Sequence, residues 1–309
     1  MTLPNPLRTV RGVLLALALF GSLLVVNALQ TASLVVLPFS RRAFRRFNRE
    51  CADKWWGAGR WVVERALGVR VVITGDEIPM RENAIVVVNH QDACDIPILF
   101  SLGWRKRMLG DMKWFAKHIL KYAPGVGWGM LFLDCPFLKR DWSRDRRGIE
   151  ATFRKFHEHG IPLWLINFPE GTRRKPEKLE RSRRYAADNG LVPFDHHLYP
   201  RTKEFVATVR GLANHARAVY DVTIGYPDGP PSFMGLVRGD VHEVHLCVRR
   251  WEIAGLPADD GALAAWLVER FREKDRMLAE FGRTGKLAPA ARPRVADGVA
   301  PEDRLPHTP

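Results

Sequence analysis

The sequence predicts an α/β protein: a central mixed sheet flanked by helices, with an N-terminal membrane helix or helical hairpin. Three observations carry that reading. The apolar runs Ala84–Val88 and Pro162–Asn167 each end abruptly in a polar loop, as buried strands do where a sheet opens onto a site. Further short β-branched or alternating runs at Arg70–Thr74, Val219–Ile224 and Val241–Val248 supply more strands, the last of them at an edge. A long uncharged stretch, Val13–Leu37, precedes them all.

Composition sets the bounds. A chain of 309 residues, 46% hydrophobic, buries one large core or two modest ones. We divide it into a membrane-associating segment over 1–68, a catalytic domain with a C-terminal helix over 69–282, and a tail over 283–309. The formal net charge of +14 calls for a polyanionic partner or surface. Nucleic acid would satisfy it, but the chain carries no recognised nucleic-acid module and begins apolar, so an anionic membrane surface fits better and no nucleic acid is expected. Cys51, Cys94, Cys135 and Cys247 are scattered without a CxxC pair or metal-ligand spacing. They suit a reducing compartment, and no metal site is expected.

As one helix, Val13–Leu37 would span roughly 37 Å, enough to cross a hydrocarbon core of about 30 Å with some tilt. Arg8 and Arg11 precede it, while Arg41, Arg42, Arg45 and Arg46 follow. The heavier positive flank downstream places the catalytic domain on the cytoplasmic side. A cleaved signal peptide competes, although the apolar region is long for one. A hairpin dipping into one leaflet, bent near Asn27, is equally compatible. From Phe44 to Leu67, Phe47, Trp55, Trp56 and Trp61 alternate with Arg45, Arg46, Arg49, Lys54 and Arg60. Such a helix suits the headgroup level of a membrane, or covers the core with one face.

Within the catalytic domain, Ile96–Leu102 reads as a short helix, Arg107–Leu109 as a short strand and Lys113–Tyr122 as a basic amphipathic helix. Pro124–Gly129 is a Gly-rich turn that lacks the Gly-Lys-Ser/Thr of a nucleotide loop. Gly261–Phe281 has apolar residues at helical spacing and packs on the core. After Lys286 the chain is rich in Pro, Ala and Arg without periodicity, and disorder is expected.

The chemistry concentrates at two strand ends. His90 and Asp95 follow Ala84–Val88. On a regular helix, five positions put side chains about 140° apart, so these two meet only if the segment turns and Asp95 opens the next helix. A carboxylate holding a His ring fixes its tautomer and stabilises the imidazolium, which makes a general base. The plainer alternative is that Asp95 is an N-cap and His90 a strand-end polar residue.

His90 and Asp95 with four residues between them, followed downstream by Phe168-Pro169-Glu170-Gly171-Thr172-Arg173, resemble the glycerolipid acyltransferase family typified by 1-acyl-sn-glycerol-3-phosphate acyltransferase. The resemblance implies His90 and Asp95 as catalytic residues, and Arg140, Glu170, Gly171, Thr172 and Arg173 as substrate-binding. Arg140 enters as the basic residue closing Phe137-Leu138-Lys139-Arg140, a looser match to the family's second motif. Arginine grips phosphate by a two-point fork, which suits a lysophospholipid whose phosphate adjoins the reacting hydroxyl. Glu170 could hold those arginines, bond an acceptor hydroxyl or support its loop. Pro200-Arg201-Thr202-Lys203 resembles the branch that includes lysocardiolipin and lysophosphatidylinositol acyltransferases.

The expectation is a membrane-bound acyltransferase that moves a fatty acyl chain from acyl-CoA or acyl-carrier protein to a lysophospholipid. The acceptor would be 1-acyl-glycerol-3-phosphate or another lysophospholipid. No cofactor is required, and the location is a bacterial inner membrane. A non-catalytic lipid-binding membrane protein is the rival, and the intact His90, Asp95 and FPEGTR speak against it. Cys94, beside the dyad, raises the possibility of an acyl-cysteine intermediate, to which the resemblance gives no support.

Overall fold

The computed structural model describes residues 6–139 and 142–288. The expected tail disorder and Arg140 therefore lie outside the described residues, apart from the first few positions after Lys286.

The chain opens with α1 (Pro6–Ala32), continued by a 3-10 turn over Ser33–Val36. This stretch is long and apolar enough to cross a membrane. It runs unbroken through Asn27, and the chain reverses later, between Leu37 and Ser40. The Ser40 hydroxyl accepts the Ala43 N–H and starts α2 (Arg41–Trp61). α2 runs back along α1 as an antiparallel hairpin: Asn48 donates to the Ser33 hydroxyl (3.1 Å), and the Trp55 indole N–H donates to the Leu19 carbonyl (3.1 Å). Asn27 is buried, with its Oδ1 accepting the Gly125 N–H at 2.7 Å. A Cβ on Gly12 would lie 1.7 Å from the Val237 carbonyl oxygen. α1 is thus docked on the rest of the protein along most of its length, while Leu14, Leu17, Leu24, Val25 and Leu29 on its other side are exposed.

Among the described residues eight strands follow in chain order: β1 (Arg70–Gly75), β2 (Ala84–Val88), β3 (Met112–Trp114), β4 (Ala116–Lys117), β5 (Phe137–Leu138), β6 (Trp164–Asn167), β7 (Ala218–Gly225) and β8 (Glu243–Glu252). Six of them form the central sheet in the order β1-β8-β7-β2-β6-β3. β7, β2, β6 and β3 run parallel, and β8 runs antiparallel to β7, which makes the sheet mixed as expected. Between the strands lie α3 (Asp95–Arg105), α4 (Val126–Phe132), α5 (Trp142–Glu158), α6 (Pro176–Asp188), α7 (Thr202–Leu212) and α8 (Phe233–Arg238), and α9 (Asp260–Thr284) closes the described chain.

β2 is buried throughout, and its period of two divides it between two cores. Ala84, Val86 and Val88 pack towards Trp56 of α2 and Ile98 and Leu99 of α3. Ile85 and Val87 pack towards Phe153 of α5, Phe205 of α7 and Leu267 of α9. The helix expected over Gly261–Phe281 is therefore one layer of the core.

Three expectations fail. Arg107–Leu109 is not a strand: Arg107 takes a left-handed φ of 58°, Leu109–Asp111 forms a 3-10 turn, and the strand starts at Met112. Lys113–Tyr122 is not a helix but β3, β4 and a 3-10 turn over His118–Tyr122. Lys113 lies inside, 4% exposed, with its ammonium donating to the Leu133 carbonyl. Its charge disguised a buried edge strand as an amphipathic helix. The third concerns β8, which lies between β1 and β7 rather than at an edge, because β1 adds to its free side in parallel.

Candidate active site

β2 and β6 are neighbouring parallel strands, with Val87 paired to Asn167, so their two loops leave the sheet side by side. The loops are then knitted together. The His90 backbone N–H donates to Glu170 Oε1 (2.6 Å), and the Arg174 N–H donates to the His90 carbonyl (2.9 Å).

His90 and Asp95 meet. Asp95 is the first residue of α3, and its Oδ2 lies 2.9 Å from His90 Nδ1. The same oxygen accepts the N–H groups of Gln91 (2.7 Å) and Asp92 (3.0 Å), and Oδ1 accepts the Tyr226 hydroxyl at 2.8 Å. Asp95 is 0% exposed and surrounded by donors, which holds it as an acceptor. Nδ1 must therefore carry the imidazole proton, leaving a lone pair on Nε2. Nε2 has no hydrogen-bond partner among the described residues. The ring plane is set by stacking on Phe168, with centroids 4.1 Å apart and planes at 25°. Phe168 stacks in turn on Trp114.

Glu170 is buried, and its Oε2 accepts the Leu198 N–H at 2.8 Å. Burial pushes its carboxyl up to about 8, against the pull of the two backbone donors. Both its oxygens are engaged in joining the His90 loop to the Leu198 loop. Gly171 has φ +68° and lies under Arg201, whose Nε would be 3.0 Å from a Cβ there. The Thr172 hydroxyl contacts the Lys178 ammonium. Arg173 is 47% exposed, with Asp92 3.9 Å away. Arg201 is exposed, and its N–H donates to Pro169, which ties the Pro-Arg-Thr-Lys string to the FPEGTR loop. Arg140 lies outside the described residues. The ribbon leading to it, β4 paired with β5, forms with Lys117, His118 and Lys139 a cavity of about 400 Å³.

A second cavity, of about 290 Å³, is almost wholly apolar. It starts at Ala93, Ile96 and Pro97, around Asp95, and runs past Trp114 and Phe100 between α1 and α2. Cys94 is 0% exposed, and burial beside Asp92 and Asp95 pushes its thiol up to about 12. A thiol so protonated is not a nucleophile at neutral pH.

Three residues around the dyad, Tyr226, Asn89 and Gln91, were given no role from the sequence. Tyr226 is the first residue beyond the end of β7, and nothing in its spacing points to Asp95, 131 positions earlier. Asn89 and Gln91 hold Ile224 of the same strand by its backbone. Phe168 was legible only as part of FPEGTR.

The two strand ends thus bring together a carboxylate-held histidine, an arginine-bearing loop and an adjoining apolar cavity. The family model Acyltransferase matches residues 70–226, and that of the Acyltransferase C-terminus matches 235–300. The chain is 32% identical over 271 residues to 1-acyl-sn-glycerol-3-phosphate acyltransferase 2 of Brassica napus, covering 85% of this chain and 70% of that one. It is 32% identical over 284 residues to 1-acyl-sn-glycerol-3-phosphate acyltransferase gamma of Homo sapiens, covering 87% and 74%. The crystal structure of the 1-acyl-sn-glycerophosphate (LPA) acyltransferase PlsC from Thermotoga maritima shares the fold, with a TM-score of 0.54 over 89% of this chain and 97% of that one, at 22% identity. The chain belongs to the acyltransferase family, and the protein is an acyltransferase.

Proposed function

We propose that the protein transfers a fatty acyl chain from a thioester, acyl-CoA or acyl-carrier protein, to the free hydroxyl of 1-acyl-glycerol-3-phosphate, giving phosphatidic acid. The single observation that carries this is the His90–Asp95 dyad flanked by an apolar cavity and by Arg173 of the FPEGTR loop. The acyl chain enters the cavity, and its thioester carbonyl lies near His90. Arg173 and Arg201, with Arg140, bind the acceptor phosphate, while Gly171 gives Arg201 room and Thr172 holds the loop. Glu170 positions His90 through its backbone.

Nε2 of His90 takes the proton from the acceptor hydroxyl as its oxygen attacks the thioester carbon. The C–S bond then breaks, and the thiolate takes the proton from the imidazolium. Asp95 stabilises that cation throughout. A positioned base contributes roughly 10²- to 10⁴-fold, and the remainder comes from alignment of the two lipids. The Pro-Arg-Thr-Lys string and the position of Arg201 support a second acceptor, another lysophospholipid.

The α1–α2 hairpin supports membrane attachment at the face where α1 exposes its leucines. Ile119, Tyr122, Trp128, Leu131 and Phe233 extend that apolar surface onto the catalytic domain. The basic residues of α2 fit an anionic lipid surface at its rim, with the domain on the cytoplasmic side of a bacterial inner membrane.

His90→Ala tests the reading: acyl transfer is expected to fall below a few per cent of wild type in protein that remains folded and vesicle-bound. Asp95→Asn is expected to be nearly as severe and Cys94→Ala mild. A fully active His90→Ala enzyme would remove the base from the mechanism.

A further inference from the structure

β7 ends at Gly225, and the next residue, Tyr226, turns its ring into the protein beneath the catalytic loop, 6% exposed. Its hydroxyl donates to Asp95 Oδ1 at 2.8 Å, while Oδ2 is taken up by His90 and two backbone N–H groups. The segment is clamped from both directions. Asn89 exchanges two hydrogen bonds with the backbone of Ile224, and the Gln91 amide donates to the Ile224 carbonyl. The phenol is thus presented to the carboxylate by a strand fastened to the residues flanking His90.

We infer that Tyr226 is a positioning residue of the acyltransferase site, holding Asp95 Oδ1 so that Oδ2 faces His90 Nδ1 and moderating the negative charge the imidazole feels. It touches neither lipid and acts through Asp95. The inference rests on His90 being the general base. Burial and the neighbouring Asp95 charge raise the phenol's proton affinity, so it stays a donor across the working range. A donated proton spreads the carboxylate's charge. Without it, more of that charge acts on the imidazolium and stabilises it. The other charged or titratable groups facing the pair are Asp92 and Cys94 at the start of α3, and Glu170, Arg173 and Arg174 from the loop after β6. All are unchanged in the variants below.

The experiment is a pH profile of kcat/KM for the full chain in phosphatidylglycerol vesicles, with acyl-CoA and 1-acyl-glycerol-3-phosphate as substrates. His90→Ala is measured first, and activity there would defeat the general-base reading itself, before Tyr226 is tested. With that settled, Tyr226→Phe is expected to lower kcat about tenfold, as for a lost hydrogen bond to a charged group, with the acceptor KM within twofold. Its acid limb is expected to move up by about half a pH unit. Replacing Tyr226 by 3-fluorotyrosine, a stronger donor of nearly the same shape, is expected to move the limb the other way. In an Asp95→Asn background, Tyr226→Phe is expected to cost nothing more. An acid limb that stays put in both Tyr226 variants, or a full tenfold loss recurring in Asp95→Asn, would overturn the inference and leave Tyr226 as packing.

Discussion

Gly171 shows how one residue can hold two parts of the site at once. Its φ of +68° lies where a Cβ is strained, and the space the Cβ would need is occupied by the Arg201 side chain. Gly171→Ala is therefore expected to cost about 1–2 kcal/mol of stability from backbone strain and to push Arg201 off the loop. Acceptor KM should rise several-fold, while the KM for the acyl thioester stays near wild type. Equal rises in both constants, from two titrations, would detach Arg201 from acceptor binding. At this scale the sequence was informative where chemistry and spacing coincided. His90 and Asp95 could be paired because a turn was the only way for them to meet, and Asp95 does open α3. Glu170 was left open among three roles, because sequence cannot tell a carboxylate aimed at solvent from one aimed at two backbone N–H groups. Tyr226 was invisible because its partner is distant in the chain and its own neighbourhood is unremarkable in composition.

Among the elements, strands with both faces buried were the most legible, since β2 is an uninterrupted apolar run and β6 and β7 break theirs only at Asn167 and at Asp221 and Thr223. The region from Lys106 to Leu138 was the least. There a buried lysine, two-residue strands and 3-10 turns replace long periodic segments, and local pattern gives way to tertiary pairing such as β4 with β5. Of the two readings of the stretch after Phe44, covering the core holds for one face of α2, where Ala52 and Trp56 are buried, while Phe47 and Trp61 are exposed on another. The loop before α7 carries its own pH dependence. Burial pushes the His197 imidazole from 6.5 down to about 4, with Nε2 placed 2.7 Å from the Phe271 carbonyl of α9. Because the folded value lies below the unfolded one, the stability His197 contributes is present above about pH 6.5 and lost as pH falls through about 4. The midpoint of thermal unfolding is expected to decline over that window and to decline less in His197→Gln. Parallel slopes for the two proteins would show that other groups dominate the acid limb.

For the whole molecule, the N-terminal hairpin both carries a helix long and apolar enough to cross a membrane and forms one wall of the apolar cavity, since Leu19, Phe20 and Leu23 line it together with Trp55 and Trp56. Removing residues 1–40 is therefore expected to abolish acyl transfer as well as weaken membrane attachment. The remaining vesicle binding, through α2, should fall as salt rises, because exposed charges are screened within about 10 Å at 0.1 M ionic strength. Full activity of the truncated chain would mean that the acyl chain lies elsewhere. The central claim is that His90 carries a proton from acceptor to leaving thiol while the acyl group moves directly between them, without an acyl-enzyme. It is tested most directly by rapid-quench measurement of thiol release from acyl-CoA, with and without 1-acyl-glycerol-3-phosphate. Thiol release is expected only with acceptor present, in step with phosphatidic acid, and to vanish in His90→Ala. A burst of thiol equal to the enzyme concentration in the absence of acceptor, with the acyl group retained on the protein, would contradict it.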